Sequence, residues 1–322
     1  MGDAEPVVSL AVPHPTNTPL STRLARSRRA HPPPMSIPEK LERAEALDRP
    51  AGAARDAVQS LLTNRTVKDA LHGVWLGHAL HPALAQFTLG SFLSASLLDA
   101  VGGRPRESNT LIAAGLVGTL PTVAAGWADY ADGHEEQQRV GIVHAALNGA
   151  AVACYAGALV SRTRGGHGRM LTAAGAALSG FSAYLGGHLA YRQALGPNQS
   201  EAIPHTGPGD WQQLGPVSEI PDRRPVRRSA GDTPVVVVSR DAQVSVLADR
   251  CPHASAPMHD GELSDEDGCA VLTCSWHGSV FRVDDGSVVH GPATAPLPRF
   301  ETRTVDGVLQ ARVVTFPGVP AS

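Results

Sequence analysis

The sequence predicts a multidomain chain, an N-terminal all-α bundle of four transmembrane helices followed by a C-terminal all-β domain. Three observations predict it. Apolar residues concentrate between about residue 74 and residue 191, in four successive segments of membrane-spanning length. From Trp211 onward the texture changes to short β runs separated by Asp-Gly turns. Between them, residues 193–209 carry Pro197, Pro204 and Pro208 with scattered glycine, as a linker does.

Residues 1–34 are rich in Pro, Ser, Thr and Arg without apolar periodicity and read as a disordered leader. His31-Pro32-Pro33-Pro34 follows Arg28-Arg29 where a signal sequence needs an apolar stretch, so no cleavable signal is expected. Met35 precedes a helix start, Pro38-Glu39-Lys40-Leu41-Glu42, and is an alternative start to Met1. Residues 35–72 read as one or two amphipathic helices interrupted at Pro50-Ala51-Gly52.

The bundle, residues 73–192, holds its apolar segments at about 82–101, 109–128, 140–160 and 170–191. Each is near the roughly 20 residues that cross a hydrocarbon core of about 30 Å. They are rich in Ala and Gly, with Gly175 and Ser179 at the spacing that lets membrane helices approach closely. Gln86, Ser91, Asn109 and Asn148 would suit a soluble bundle, but the charged outer stripe such a bundle shows to water is missing. A lipid membrane is therefore an expected partner, and the cell membrane the expected location. The net charge of −3 without a basic stripe argues against nucleic acid.

The β runs are Val235–Val238, Val244–Leu247, Val271–Cys274, Val280–Val283, Val288–Val289 and Phe300–Val314, with turns at Asp267-Gly268, Asp285-Gly286 and Asp306-Gly307. They predict a sandwich or barrel over about 210–317. Three of the four cysteines, Cys251, Cys269 and Cys274, fall close together among histidines, which points to metal ligation; Cys154 lies apart. Cys251-Pro252-His253 and Cys274-Ser275-Trp276-His277 each bring one thiolate and one imidazole. Two Cys and two His also satisfy a structural zinc ion, although Cys-x-His is an uncommon zinc spacing.

Cys-x-His followed by Cys-x-x-His resembles the Rieske family over about 210–317. The resemblance implies a [2Fe-2S] cluster with Cys251 and Cys274 on the inner iron and His253 and His277 on the outer. It places Trp276, Gly278 and Ser279 beside the ligands, and Pro292 in the loop that covers the cluster. The long gap between the ligand pairs is absorbed at the Asp265–Gly268 turn. Where quinol-oxidising members carry a disulfide between the ligand loops, Ala256 and Trp276 stand here, so the domain resembles the ferredoxin-type modules that feed oxygenases. Only 45 residues follow His277, with His290 their one histidine, too few for an oxygenase catalytic domain. The implied role is a one-electron carrier serving an oxygenase or a membrane redox chain, with a reductase or oxygenase as redox partner and no catalytic residue assigned.

Leu76-Gly77-His78-Ala79-Leu80-His81-Pro82, His144 with Asn148, and Tyr184-Leu185-Gly186-Gly187-His188-Leu189-Ala190-Tyr191 resemble a family of small four-helix membrane proteins of unassigned activity, DUF2231. Four consecutive spans bring His78, His81, Asp129, His144 and His188 to one membrane face, the face from which the linker leaves. Two readings stand for that face: histidines that cap helix ends and bind headgroups or backbone carbonyls, and a second redox or metal site, a haem b or a quinol pocket. His72, His134 and His167 read as solvated loop residues. Arg104, Arg106, Arg162, Arg164 and Arg169 slightly outweigh Arg65 and Lys68 on the opposite side, which favours the cluster domain outside. Cytoplasmic cluster assembly favours the reverse, and the expectation is cytoplasmic. Two other readings of the chain are an iron–sulfur redox sensor signalling to the helices and a membrane protein with a structural zinc module.

Overall fold

The computed structural model describes residues 36–102 and 104–315. The leader at 1–34 and the choice between Met1 and Met35 lie outside these residues.

Three short helices come first. A capping box opens α1 (Ile37–Glu42), in which the Glu39 carboxylate accepts the Ser36 N–H at 2.8 Å. Helix α2 (Asp48–Leu61) runs through Pro50-Ala51-Gly52, where a break was expected. Pro50 sits in the first turn, where a backbone N–H has no intrahelical partner to lose, so proline opens the helix instead of ending it. Helix α3 (Arg65–His72) starts on the Asn64 cap and ends at Gly73, φ 83°. A Cβ at Gly73 would stand 2.3 Å from the His78 carbonyl oxygen, so only glycine fits this turn.

The four apolar segments form α4 (Leu80–Ala100), α5 (Pro105–Ala131), α6 (Glu135–Thr163) and α7 (Arg169–Gly187), the last widening into a π turn at His188–Arg192. Glycines set the helix spacing. Gly115 faces the Phe92 ring and Gly175 the Tyr155 ring, and the two rings stack at 4.1 Å. At one end of the bundle Arg162 pairs with the buried Asp99 and donates to Asn109 Oδ1 at 2.6 Å. The outer faces are apolar: Phe87, Leu97, Val117 and Leu120 are 58%, 64%, 70% and 74% exposed. By length and composition α5 and α6 could cross a membrane, with mean hydropathies of 1.6 and 1.5.

Helices α1–α3 lie across the opposite end of the bundle. The Tyr130 hydroxyl donates to the Ala51 carbonyl at 3.0 Å, Arg139 pairs with Asp48, and His188 with Glu42. After α7, residues 193–209 include a short helix, α8 (Ile203–Thr206), and are tied to the β domain. Gln199 N–H donates to the Pro252 carbonyl at 2.8 Å, and Ser200 is fully buried.

The β domain has two antiparallel sheets. The larger runs β1 (Gln212–Pro216), β10 (Val308–Val313), β9 (Arg299–Val305), β4 (Gln243–Ala248), β3 (Thr233–Arg240), β2 (Val226–Ala230). The smaller runs β5 (Glu262–Glu266), β6 (Cys269–Thr273), β7 (Val280–Arg282), β8 (Val288–His290). Val235, Val236, Val237 and Val238 are all buried, so β3 is covered on both faces. The expected run Phe300–Val314 is a hairpin folded at Asp306-Gly307, and β5–β6 folds at Asp267-Gly268. All four turn residues have positive φ, as tight hairpins require.

Candidate metal centre

Two six-residue loops of the same construction carry the cysteines and histidines. In Cys251–Ala256, after β4, the Cys251 N–H donates to the Ala256 carbonyl at 2.8 Å and the Ser255 N–H returns to the Cys251 carbonyl at 3.0 Å. In Cys274–Ser279, between β6 and β7, the Cys274 N–H donates to the Ser279 carbonyl at 2.8 Å and the Gly278 N–H returns to the Cys274 carbonyl at 3.1 Å. The fifth residue of each loop is left-handed, Ser255 at φ 66° and Gly278 at φ 75°. Ser255 accepts that backbone with its hydroxyl tied to Arg250 Nε at 3.1 Å. The sequence shows the glycine but gives no sign that a serine takes the equivalent place.

The donors fall into two pairs. Cys251 and Cys274 are 1% and 3% exposed, and each thiol perturbs the other. The Cys251 thiol and the backbone N–H groups of Trp276 and His277 hold Cys274 down at about 6, while Cys251 is pushed up by the Cys274 thiol and by burial. The His253 and His277 rings meet edge to face, centroids 4.9 Å apart. Burial lowers both imidazoles, His253 to about 3, which keeps them neutral and able to ligate. His277 Nδ1 is buried without a hydrogen-bond partner. The donors thus come as a thiol pair and an imidazole pair. A binuclear centre with two protein ligands on each iron matches that division.

The flanking loop fits over this site. Pro292 follows a cis peptide after Gly291 and lines a cavity of about 20 Å³ with His253, and Ala293 N–H donates to Ser279 Oγ at 2.9 Å. Ser279 is fully buried, whereas Trp276 is half exposed. All four cysteines are free thiols, with Cys269 half-buried and unpaired.

Residues 210–301 match the Rieske [2Fe-2S] domain. Residues 77–199 match the family described as "Predicted membrane protein (DUF2231)". The anthranilate 1,2-dioxygenase ferredoxin subunit of Burkholderia cepacia is 29% identical over 32% of this chain and 93% of its own. Ferredoxin CarAc of Metapseudomonas resinovorans is 31% identical over 24% and 68%. A solved complex of reduced oxygenase and oxidised ferredoxin in carbazole 1,9a-dioxygenase contains a chain 27% identical over 32% of this one and 92% of that one, with a TM-score of 0.28. A Rieske domain implies a [2Fe-2S] cluster, and likeness to ferredoxin subunits supports an electron-transfer carrier.

The histidines expected to share one membrane face are not gathered into one site. His81 Nδ1–H donates to the Thr122 carbonyl at 2.9 Å and His144 Nδ1–H to the Ser182 carbonyl at 2.8 Å; the rings stand edge to face at 6.5 Å. Gly126 and Gly186 leave room for them. His78 Nδ1 bonds the Ala79 carbonyl, His188 pairs with Glu42, and Asp129 with His72. Two imidazoles in this edge contact do not flank a macrocycle, and the haem b reading gains no support.

Two histidines read as solvated are instead structural parts of the metal centre's surroundings. His72, 2% exposed, is held between Asp129 at 3.0 Å and Asp132 at 3.2 Å. His134, at the start of α6, packs on Trp276 at 5.7 Å and His277 at 6.2 Å. His134, Gln138 and the α2 residues Arg55 and Gln59 line an open polar cleft with His277. His167 is exposed, as expected. Position along a chain says which residues are near helix ends, but not which end is covered by another domain.

Proposed function

We propose that the chain is a membrane-anchored Rieske electron carrier. In this reading Cys251 and Cys274 hold one iron of a [2Fe-2S] cluster and His253 and His277 hold the other. The observation that carries it is the pair of matching loops, each delivering one thiol and one imidazole from a rigid strand end. When bound, the cluster supplies single-electron transfer. The protein's part is to keep the histidines neutral by burial, to direct backbone N–H groups at Cys274, and to exclude water beneath Pro292. The outward apolar side chains of α4–α7 support anchoring in lipid, since a water-soluble bundle would bury or charge such a surface. A reductase as donor and an oxygenase or membrane redox chain as acceptor fit the ferredoxin relatives.

The test is iron and acid-labile sulfide analysis of the full-length chain reconstituted in detergent, with electron paramagnetic resonance of the dithionite-reduced sample. We expect equal iron and sulfide and a reduced-cluster signal, both lost in Cys251→Ser. A single divalent metal without sulfide would replace this reading by the zinc module.

A further inference from the structure

The histidine side of the metal centre rests on charged residues of the helical domain. Lys68 Nζ is 2.9 Å from Asp132, His72 Nε2 is 3.2 Å from the same carboxylate, and His72 Nδ1 is 3.0 Å from Asp129. His72 and Asp132 are 2% and 5% exposed. The row adjoins the surroundings of both imidazoles. His72, Asp129 and His253 line the same small cavity, and two residues beyond Asp132 the His134 ring stands 6.2 Å from His277. Burying charges costs several kcal/mol per ion unless partners offset it, so such a row is an expensive way merely to pack two domains.

We infer that the row Lys68–Asp132–His72–Asp129 is a positioning and electrostatic element by which the helical domain sets the midpoint potential of the cluster. The inference rests on the cluster reading above. Gaining one electron makes the cluster one unit more negative. A buried carboxylate opposes that gain, a buried ammonium favours it, and little water is present to screen either. Asp129 shares a cavity with His253, Asp132 is joined to that cavity through His72, and the His134 ring two residues beyond Asp132 packs on His277. The charged and titratable groups around the imidazole pair are Lys68, His72, Asp129 and Asp132 from α3 and the end of α5, with His134, Glu135, Arg55 and Asp56 lining the open cleft beside His277.

The two signs in the row make the inference testable. Full-length wild type, Asp132→Asn and Lys68→Met, loaded with iron and sulfide in detergent, are titrated with dithionite and mediators and followed by electron paramagnetic resonance. Asp132→Asn is expected to shift the midpoint to more positive values and Lys68→Met to more negative ones, at unchanged iron and sulfide content. A loosened domain contact would move both variants the same way, and that result, or no shift in either, overturns the inference while leaving the cluster reading in place. Should Asp132→Asn not fold, Asp129→Asn supplies the same positive shift from a less buried carboxylate, and its absence counts equally against the inference. Wild type without an iron–sulfur signal would overturn both.

Discussion

Asp69 in α3 and His290 in β8 are 221 residues apart in sequence and 2.7 Å apart in space. The other Asp69 oxygen accepts the Gly291 N–H at 2.9 Å, and the far nitrogen of His290 meets Glu266 at 2.8 Å. One aspartate thus ties the helical part to the loop that covers the metal centre. The fit is close: a Cβ on Gly291 would lie 2.9 Å from Val74.

Asp69→Ala should therefore loosen the two parts. Hydrogen bonds to a charged group contribute about 1.5–3 kcal/mol each, and with side chains 18% and 21% exposed this pair is only modestly screened. The expected loss is about 2 kcal/mol in denaturant unfolding of the detergent-solubilised chain, read by the visible absorption of the cluster. An unchanged midpoint would mean that the contact does not hold the parts together.

Changing both proposed histidine ligands, His253 and His277, to cysteine tests the ligand division directly. Imidazole on one iron raises the potential of a two-iron cluster above that of the all-cysteine type. The double variant His253→Cys with His277→Cys should keep its colour and move to a clearly lower midpoint. A colour lost in the double variant but kept when both residues become alanine would show that these positions are not ligands.

The bundle makes a prediction about glycine. A Cβ at Gly115 would lie 2.5 Å from the Phe92 ring, whereas at Gly149 nothing stands within 4 Å. Gly115→Ala should cost about 1–3 kcal/mol by overpacking. Gly149→Ala should be neutral or stabilising by up to about 1 kcal/mol, through helix propensity. Thermal unfolding of the two variants in the same detergent checks the contrast, and equal midpoints would refute the packing.

His72 predicts a pH dependence. Burial acts against its protonated form, but Asp129 and Asp132 outweigh burial and the net shift is upward. A raised folded-state value means that the proton stabilises the folded chain. That contribution is complete below the ordinary histidine value of about 6.5 and is lost as pH rises through the higher folded value. The stability difference between wild type and His72→Gln should be largest in acid and shrink toward alkaline pH. A difference that stays constant across this range would remove the charged imidazole from the account.

The two Cys–His loops, the four long helices and the hairpin turns were legible in the amino-acid order, because each depends on spacing within a few residues. Cys251 with His253, the lengths of α4–α7 and the Asp-Gly pairs need no distant partner to be read. Pro50 was misread because its effect depends on where a helix begins, and that is set by how α2 packs on α5 and α6. His72 and His134 were misread for a related reason. Burial is decided by whatever folds over a residue, and what folds over these two is a domain that starts more than 70 residues later. Sequence alone therefore determined which groups can ligate and which segments are apolar. Only the tertiary structure decided that α3 and the end of α5 lie beneath the imidazole pair, since contacts such as Asp69 with His290 carry no local signal in the chain.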